Sequence, residues 1–434
     1  MKKTIKLTLV VAFVLGTTSV YATNGSNLIA TGAKARAMGG TGIGVSHGAE
    51  SGLANVSLIT SVKSTEVSFG GMFFMPNVEN NNNINLGDLG DESGKGSSAS
   101  DLNVIPEVSI AGKVNDNFYM GIGIWGTAGM GVDYRGSKNQ GQMEMVTNLQ
   151  LMQFAMPLAY ITDSFSIGIT PLLQYGSLDI NYNMSQNLQK AMIANGMKAQ
   201  GVTDMNVIGA EMAKVTADKN VGSGVAQDLK FGYNLGLSYQ IAGFTVGAMY
   251  KSQVDMFYKG VLTSAIGAMG VNYKNDALST PAEIGIGASY NYEKHTIALD
   301  YKQIKWSDAK GYQDFDWDDQ DIIALGYEYT TKIWALRAGY NFADNPISEQ
   351  TRKNTNSAGL SAGLVNTFNT LGFPGIIESH YTVGGTYRLT EQTAIALAYV
   401  YAPEVTIDYK NFLGQSSETT HSQTSLSFDL VYNF

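Results

Sequence analysis

The chain contains no cysteine, so disulfides and thiolate metal sites have no part in its fold or chemistry. Beyond its opening residues it also lacks any run of roughly 18 consecutive apolar residues, the minimum for a membrane-spanning helix. A basic face is missing too. Against 28 Lys and Arg stand 37 Asp and Glu, and a net charge of -9 argues against a nucleic-acid binder. No phosphate-cradling loop or dinucleotide fingerprint occurs. None of the histidines His47, His295, His380 and His421 stands at a ligand spacing such as His-x-x-x-His. Acidic residues gather at Asp314, Asp316, Asp318, Asp319 and Asp321, but without the glycine and glutamate of a calcium loop, so they read as a solvated mouth loop. No cofactor and no metal are expected.

What is present leans toward a membrane barrel. Gly 49 and Tyr 24 are high, and charged residues are only 15%. Tyrosine suits membrane interfaces, and glycine suits places where strands bend or meet other backbone. Residues 1–22 read as a secretory signal: Lys2, Lys3 and Lys6, the apolar core Leu7 to Leu15, then Val20-Tyr21-Ala22 with small residues at the cleavage positions. Past it, the chain either stays in the periplasm or crosses a membrane as strands.

Apolar residues alternate with polar ones in long segments. Ala282, Ile284, Ile286, Ala288, Tyr290 and Tyr292 share one face, as do Phe231, Tyr233, Leu235, Leu237, Tyr239 and Ile241, and again Leu426, Phe428, Leu430, Tyr432 and Phe434. Soluble sandwiches alternate as well. Three features separate the cases. The strands have about the 9–11 residues that a tilted membrane strand needs. Aromatics collect near strand ends, as at Tyr399 and Tyr401. Tight turns such as Asn115-Asp116-Asn117, Thr162-Asp163-Ser164, Ala242-Gly243, Glu293-Lys294, Thr331-Lys332 and Thr390-Glu391-Gln392 alternate with long connections. The fold predicted is all-β: a 14-stranded antiparallel transmembrane β-barrel. Its strands fall near 65–75, 104–114, 118–128, 144–161, 165–182, 229–241, 244–260, 281–292, 295–308, 317–330, 333–346, 377–389, 393–409 and 420–434. An even number brings both ends to the periplasmic side.

The long connections differ in character. Asn77 to Leu102 reads as a solvated loop. In Met184 to Asp228, Leu188, Met192, Ile193 and Met197 recur at helical spacing, followed by Met205, Ile208, Met212 and Val215. Leu262, Ala265, Ile266 and Met269 do so between Val261 and Ser279. Short helices over the mouth would either offer an adaptable apolar surface for ligand capture or pack together as a lid. Residues 23–64 do not alternate. They are rich in small residues and suit a compact hatch inside the barrel 65–434, where inward polar side chains would bond to its backbone. If apolar positions face lipid, Glu283, Asp300, Arg337, Arg388 and Asp429 face the lumen, to hold the hatch or to touch substrate.

Several stretches resemble the outer-membrane long-chain fatty acid transporter family and its aromatic-hydrocarbon relatives, the FadL/TodX type. They are Gly32-Ala33-Lys34-Ala35-Arg36-Ala37-Met38-Gly39-Gly40-Thr41-Gly42, Gly52 to Thr60, Trp306-Ser307, and Arg337 to Ile347. The resemblance implies a hatch whose functional motif includes Gly39, Gly40, Gly42 and Asn55. It implies passive uptake of hydrophobic molecules or lipids, captured by the helical loops (Leu188, Met192, Met197, Leu262, Ile266, Met269). It also implies release through a gap in the wall beside a kinked third strand. That strand here carries Gly121, Gly123 and Gly126, which would permit a bulge or simply make room for the hatch. A member would sit in the Gram-negative outer membrane among its lipids as a monomer, inserted by the barrel assembly machinery.

Two departures stand out. The family's Asn-Pro-Ala is Asn55-Val56-Ser57, without the rigid proline. The family's fatty carboxylate is met by basic residues near the tops of the fifth and ninth strands, whereas Leu178-Asp179-Ile180-Asn181-Tyr182 has no cation. Lys302, Lys305 and Lys310 follow the ninth strand with their facing open. Two other readings compete. One is an open diffusion porin or surface adhesin. The other is an outer-membrane lipase using Ser46 of Gly44-Val45-Ser46-His47-Gly48, a nucleophile-elbow pattern that lacks the surrounding α/β sheet.

Overall fold

The structure, a computed structural model, describes residues 24–137 and 140–434, and the expected leader lies outside them. Among these residues no helix is long and apolar enough to cross a membrane; the crossing is made by strands. A closed antiparallel sheet contains 14 long strands. In chain order they are β1 (Thr65–Asn82), β2 (Asn103–Lys113), β3 (Phe118–Asp133), β4 (Val146–Ala155, resuming at Leu158–Thr162), β5 (Phe165–Met184), β6 (Ala226–Ile241) and β7 (Phe244–Lys251). There follow β8 (Glu283–Tyr292), β9 (His295–Ile304), β10 (Gln320–Thr330), β11 (Trp334–Ala343), β12 (Ser379–Arg388), β13 (Thr393–Lys410) and β14 (Ser416–Asn433). β1 pairs with β2 on one side and with β14 on the other, so no edge is left open.

Alternation decides which face meets lipid. Phe231, Leu235, Leu237 and Ile241 of β6 are exposed on the outside, as are Ile284, Ile286 and Tyr292 of β8, while Gly232, Asn234, Gly236 and Ser238 point in. On a one-residue slip the two sets would change places, and polar groups would face hydrocarbon. β4 breaks at Met156-Pro157 because proline has no N–H for the ladder.

The four largest departures from the sequence expectation are these. β1 runs on to Asn82, and a short strand, Gly94–Ser97, folds back on it. Two of the asparagines read as loop formers, Asn80 and Asn82, are buried there. Asn80 Nδ2 donates to Tyr409 Oη at 3.0 Å and to Thr419 Oγ1 at 2.9 Å, and Asn82 Nδ2 donates to the Gly141 carbonyl at 2.7 Å. β3 continues to Asp133. β7 stops at Lys251, and residues beyond it form only isolated bridges, Val254 to Thr280 and Phe257 to Ala277. The fourth difference is a helix at Ala362–Thr367 that the sequence reading lacked, with the Ser361 hydroxyl accepting from the Leu364 amide at its N-terminus.

The α-helices of five residues or more are, in chain order, α1 (Ala33–Ala37), α2 (Gln186–Ala199), α3 (Met205–Met212), α4 (Val261–Ala268) and α5 (Ala362–Thr367). The extracellular mouth is filled by one large apolar cluster that includes Leu188, Leu262, Ile266, Trp306, Tyr312, Trp317, Val365 and Leu371. Below it the N-terminal hatch occupies the lumen, with α1 against β12, β13 and β11 and the 3-10 turn Val56–Ser61 against β4, β5 and β6.

Candidate functional site

The hatch is held chiefly through its backbone. Residues 37–44 cross the inside of the wall over a row of strand glycines. A Cβ at Gly339 would strike the backbone of Met38 and Gly39, one at Gly326 the Met38 carbonyl, one at Gly247 the Ile43 carbonyl and one at Gly287 the Gly44 amide. Only a wall without side chains lets two backbones approach so closely. Gly39 and Gly40 supply the other half of the fit, with φ of 69° and 84°. Asp300 pins this crossing. Its carboxylate accepts from the amides of Gly42 at 2.7 Å, Ile43 at 2.8 Å and Gly44 at 3.3 Å. Asn341 Nδ2 donates to the Gly39 carbonyl at 3.0 Å, and the Gly39 amide donates to Thr382 Oγ1 at 2.9 Å. Asn55 ties the hatch to itself and to the wall, donating to the carbonyls of Ile43 at 2.8 Å and Leu237 at 3.0 Å while its Oδ1 accepts from Ser57.

On the opposite wall the anchors are charged. Arg36, almost fully buried, pairs with Glu107 of β2 and donates to Ser427 Oγ at 3.2 Å. The Gly32 amide donates to Glu107 at 2.8 Å and the Ala33 amide to Asp429 at 2.5 Å. Lys34 lies 3.6 Å from Glu50 and 3.5 Å from Glu66. Glu50 accepts from Ser68 Oγ at 2.9 Å, and burial pushes its carboxyl up to about 7.

Above the 37–44 crossing lies a cavity whose empty volume, open mouth included, is ≈ 940 Å³. Hatch residues Asn27–Thr31 and Ile43 line it, with Leu172, Met249, Val254 and Ile322 supplying apolar wall. Its charges are Lys251, Glu283, Lys302 and Asp300. Glu283 Oε2 is 3.2 Å from Lys251 Nζ and 3.6 Å from Lys302 Nζ.

The strand pairing of the wall beside this cavity is incomplete. β2 and β3 pair only from Glu107–Trp125 down to Lys113–Tyr119, so no ladder pairing joins Asn103–Pro106 to the upper part of β3. The register of β3 against β4 slips between Gly126 and Ala128. A Cβ at Gly126 would strike the Ile105 side chain, and one at Gly123 the Trp125 ring. Hatch backbone stitches the bent strand from inside. The Leu28 amide donates to the Thr127 carbonyl at 3.1 Å, the Gly129 amide donates to the Ser26 carbonyl at 3.0 Å, and Asn27 bridges Ala128.

Comparison with known proteins agrees with this geometry. The profile described as "Outer membrane protein transport protein (OMPP1/FadL/TodX)" matches residues 12–356. The chain belongs to the FadL/TodX family. Among its relatives, the long-chain fatty acid transport protein of Escherichia coli O6:H1 is 24% identical over 76% of this chain and 82% of its own length. Outer membrane protein P1 of Haemophilus influenzae is 23% identical over 91% and 89%. The solved structure of a Pseudomonas aeruginosa FadL homologue superposes with a TM-score of 0.69 at 15% identity, covering 94% of this chain and 100% of that one. The Pseudomonas putida toluene transporter TodX gives 0.65 at 18%, covering 94% and 99%. This FadL/TodX member is an outer-membrane protein, and its relatives are transport proteins.

Family membership gives the remaining sequence candidates a context. Of the inward charges, Asp300, Asp429 and Glu283 touch the hatch, the last through Asn27 Nδ2 at 3.1 Å. Arg337 instead pairs along the wall with Glu328 at 2.6 Å and Thr386 Oγ1 at 2.7 Å. Arg388 is half-buried and donates to the Thr331 carbonyl at the periplasmic turn, so neither arginine holds the hatch. Gly121 approaches the Ile110 carbonyl of β2. Among the loop residues Leu188, Leu262 and Ile266 are buried in the outer cluster, Met192 and Met269 pack against it, and Met197 is half-buried. Five of the six therefore belong to the packed cluster at the mouth.

Ser46 does not meet His47. Its hydroxyl donates to the Leu58 carbonyl at 3.0 Å and sits 2.6 Å from Ser61 Oγ, while His47 Nε2 is 2.7 Å from the Thr41 carbonyl. Of the three lysines left open, Lys302 faces the cavity, Lys305 pairs with Asp319 at 2.8 Å and Lys310 pairs with Asp255 in the outer loops. Sequence reasoning missed Lys251, Arg36 and Glu107. Lys251 follows Thr245, Gly247 and Met249 at every second position, which marks it as inward.

Proposed function

We propose that the protein is a passive uptake channel for hydrophobic molecules, long-chain fatty acids or related lipids and hydrocarbons. The extracellular helices α2–α4 capture the substrate when the lid loosens, the cavity holds it, and it leaves sideways into the membrane when the hatch moves. The observation that carries this reading is the unpaired stretch between β2 and β3, where hatch residues Ser26–Leu28 bond to β3 from inside. A ligand in the cavity lies beside both the stitch and the gap, since Asn27, Leu28 and Thr127 line it. Lys251 and Lys302 make an acidic head group acceptable in an otherwise apolar chamber. Because both already pair with Glu283, neutral hydrocarbons are the second reading of the cargo. One barrel contains the whole route, so it works as a monomer among outer-membrane lipids after insertion by the assembly machinery.

The test uses the chain's lack of cysteine. Asn27→Cys with Ala128→Cys places thiols on bridged neighbours. Oxidation is expected to stop uptake of labelled palmitate and reduction to restore it. Uptake at the wild-type rate by the oxidised protein would refute lateral release past this stitch.

A further inference from the structure

We infer that Glu283 is a built-in counter-ion that an incoming anionic head group displaces, and that its displacement releases the first hatch residues from β3; this rests on the uptake reading above. One oxygen of the carboxylate, Oε2, faces both lysines, at 3.2 Å to Lys251 and 3.6 Å to Lys302. The other, Oε1, accepts from Asn27 Nδ2 at 3.1 Å. A single buried group therefore joins the two cations of the cavity to the hatch residue that bridges Ala128. On either side of Asn27, Ser26 and Leu28 make the two backbone bonds to β3.

The second acidic group of the cavity does not share this role. Asp300 is committed to the amides of Gly42, Ile43 and Gly44, which fasten the other half of the hatch. The hatch thus has a pinned part, 37–44, and a part, 26–28, whose side-chain ties are Ser26 Oγ to Tyr312 Oη at 3.3 Å and Asn27 to the lysine-bound carboxylate.

A carboxylate arriving between Lys251 and Lys302 competes with Glu283 for both. Two carboxylates cannot share the site without repulsion, because like charges in a dry cavity disfavour each other strongly. Glu283 then loses its cations, swings away or takes up a proton, and in either case its hold on Asn27 weakens. A neutral molecule of equal length fills the apolar wall without disturbing the ion pairs. The head group therefore acts on the gate, and chain length acts on fit.

Hydrogen–deuterium exchange of the intact protein in lipid nanodiscs reads this directly, with palmitate and methyl palmitate as probes. Palmitate is expected to raise exchange in peptides covering 26–29 and 127–129 by about tenfold or more, the size expected on losing one hydrogen bond to a charged group. Methyl palmitate leaves them unchanged. Glu283→Gln raises exchange there without any probe. Asn27→Ala, which leaves the wall and its ion pairs intact, does the same. Lys251→Met combined with Lys302→Met removes the palmitate response. Equal responses to acid and ester, or wild-type exchange in both Glu283→Gln and Asn27→Ala, would overturn the inference. Uptake through the oxidised Asn27→Cys/Ala128→Cys protein would instead sink the lateral-release reading, whatever the exchange pattern.

Discussion

Replacing Asp300 by Asn keeps the shape of the hatch anchor and removes its charge. In the wild type one carboxylate takes three amide hydrogens, at 2.7, 2.8 and 3.3 Å. Hydrogen bonds to an ionised acceptor contribute about 1.5–3 kcal/mol each, roughly twice a neutral bond. Asparagine can still accept from Gly42 and Ile43 at neutral strength. Its NH2 group then faces the Gly44 amide, donor against donor, and that bond is lost. The net weakening of the 42–44 seat comes to about 2–4 kcal/mol. Amide exchange at residues 42–44 should rise by roughly 30- to 1,000-fold if local opening governs it. In planar bilayers, brief ion-conducting openings should appear where the wild type is silent, because this crossing closes the lumen below the cavity. Other anchors, Arg36–Glu107 and Asp429 among them, keep the hatch inside the barrel, so global unfolding should move little. Wild-type exchange at 42–44 together with a silent bilayer trace would refute the idea that this carboxylate fastens the hatch.

The glycine row makes a second demand. Gly339→Ala sets a methyl group against the backbone of Met38 and Gly39, which cannot swing aside as a side chain would, so the seat should weaken by about 1–3 kcal/mol, as overpacking usually does; conductance and exchange at 38–41 measure it, and Gly112→Ala, whose nearest neighbour is the Thr65 hydroxyl at 3.0 Å, is the comparison. pH supplies the third. Glu50 has a folded pKa of about 7 because burial disfavours its charge, above the ordinary 4.5, so the folded hatch binds the extra proton. Its contribution to hatch stability is full below pH 4.5 and is lost as pH rises toward 7; exchange at residues 48–51, corrected for intrinsic rates, should climb across that window, and Glu50→Gln should flatten the climb.

Much of the architecture was legible because a barrel writes its two environments into alternate residues. Phe231 to Ile241 and Ile284 to Tyr292 have one face for lipid, and that repeat alone gives strand, face and order. Asn80 and Asn82 misled for a physical reason. Asparagine ordinarily serves turns, but at the barrel mouth its amide spans to Tyr409, Thr419 and Gly141, and the strand continues. Periodicity says that Arg337 and Asp300 both point inward, but not which will meet the hatch. That depends on where the hatch backbone passes, and it passes over β7–β12 where the glycines are. Glu107 was hidden by the same limit, since its partner Arg36 lies 71 residues away across the lumen. The unpaired stretch between β2 and β3 lies beside a register slip at Gly126, which glycine spacing permits without requiring.

The anchors of the hatch also impose an order of assembly. They are scattered along the chain, with one partner 18 residues away, Ser68 for Glu50, and another 396 away, Asp429 for Ala33. Asp429 sits on β14, the strand whose pairing with β1 closes the ring. The hatch, which precedes every strand in the chain, is therefore among the segments that find their partners last, since contacts this distant in sequence form late. Until then its amides must stay hydrated in the periplasm, which a stretch of glycine, alanine and serine with few large apolar groups allows. A chain shortened before β14 would lose closure of the ring and the grip on Ala33 in a single step.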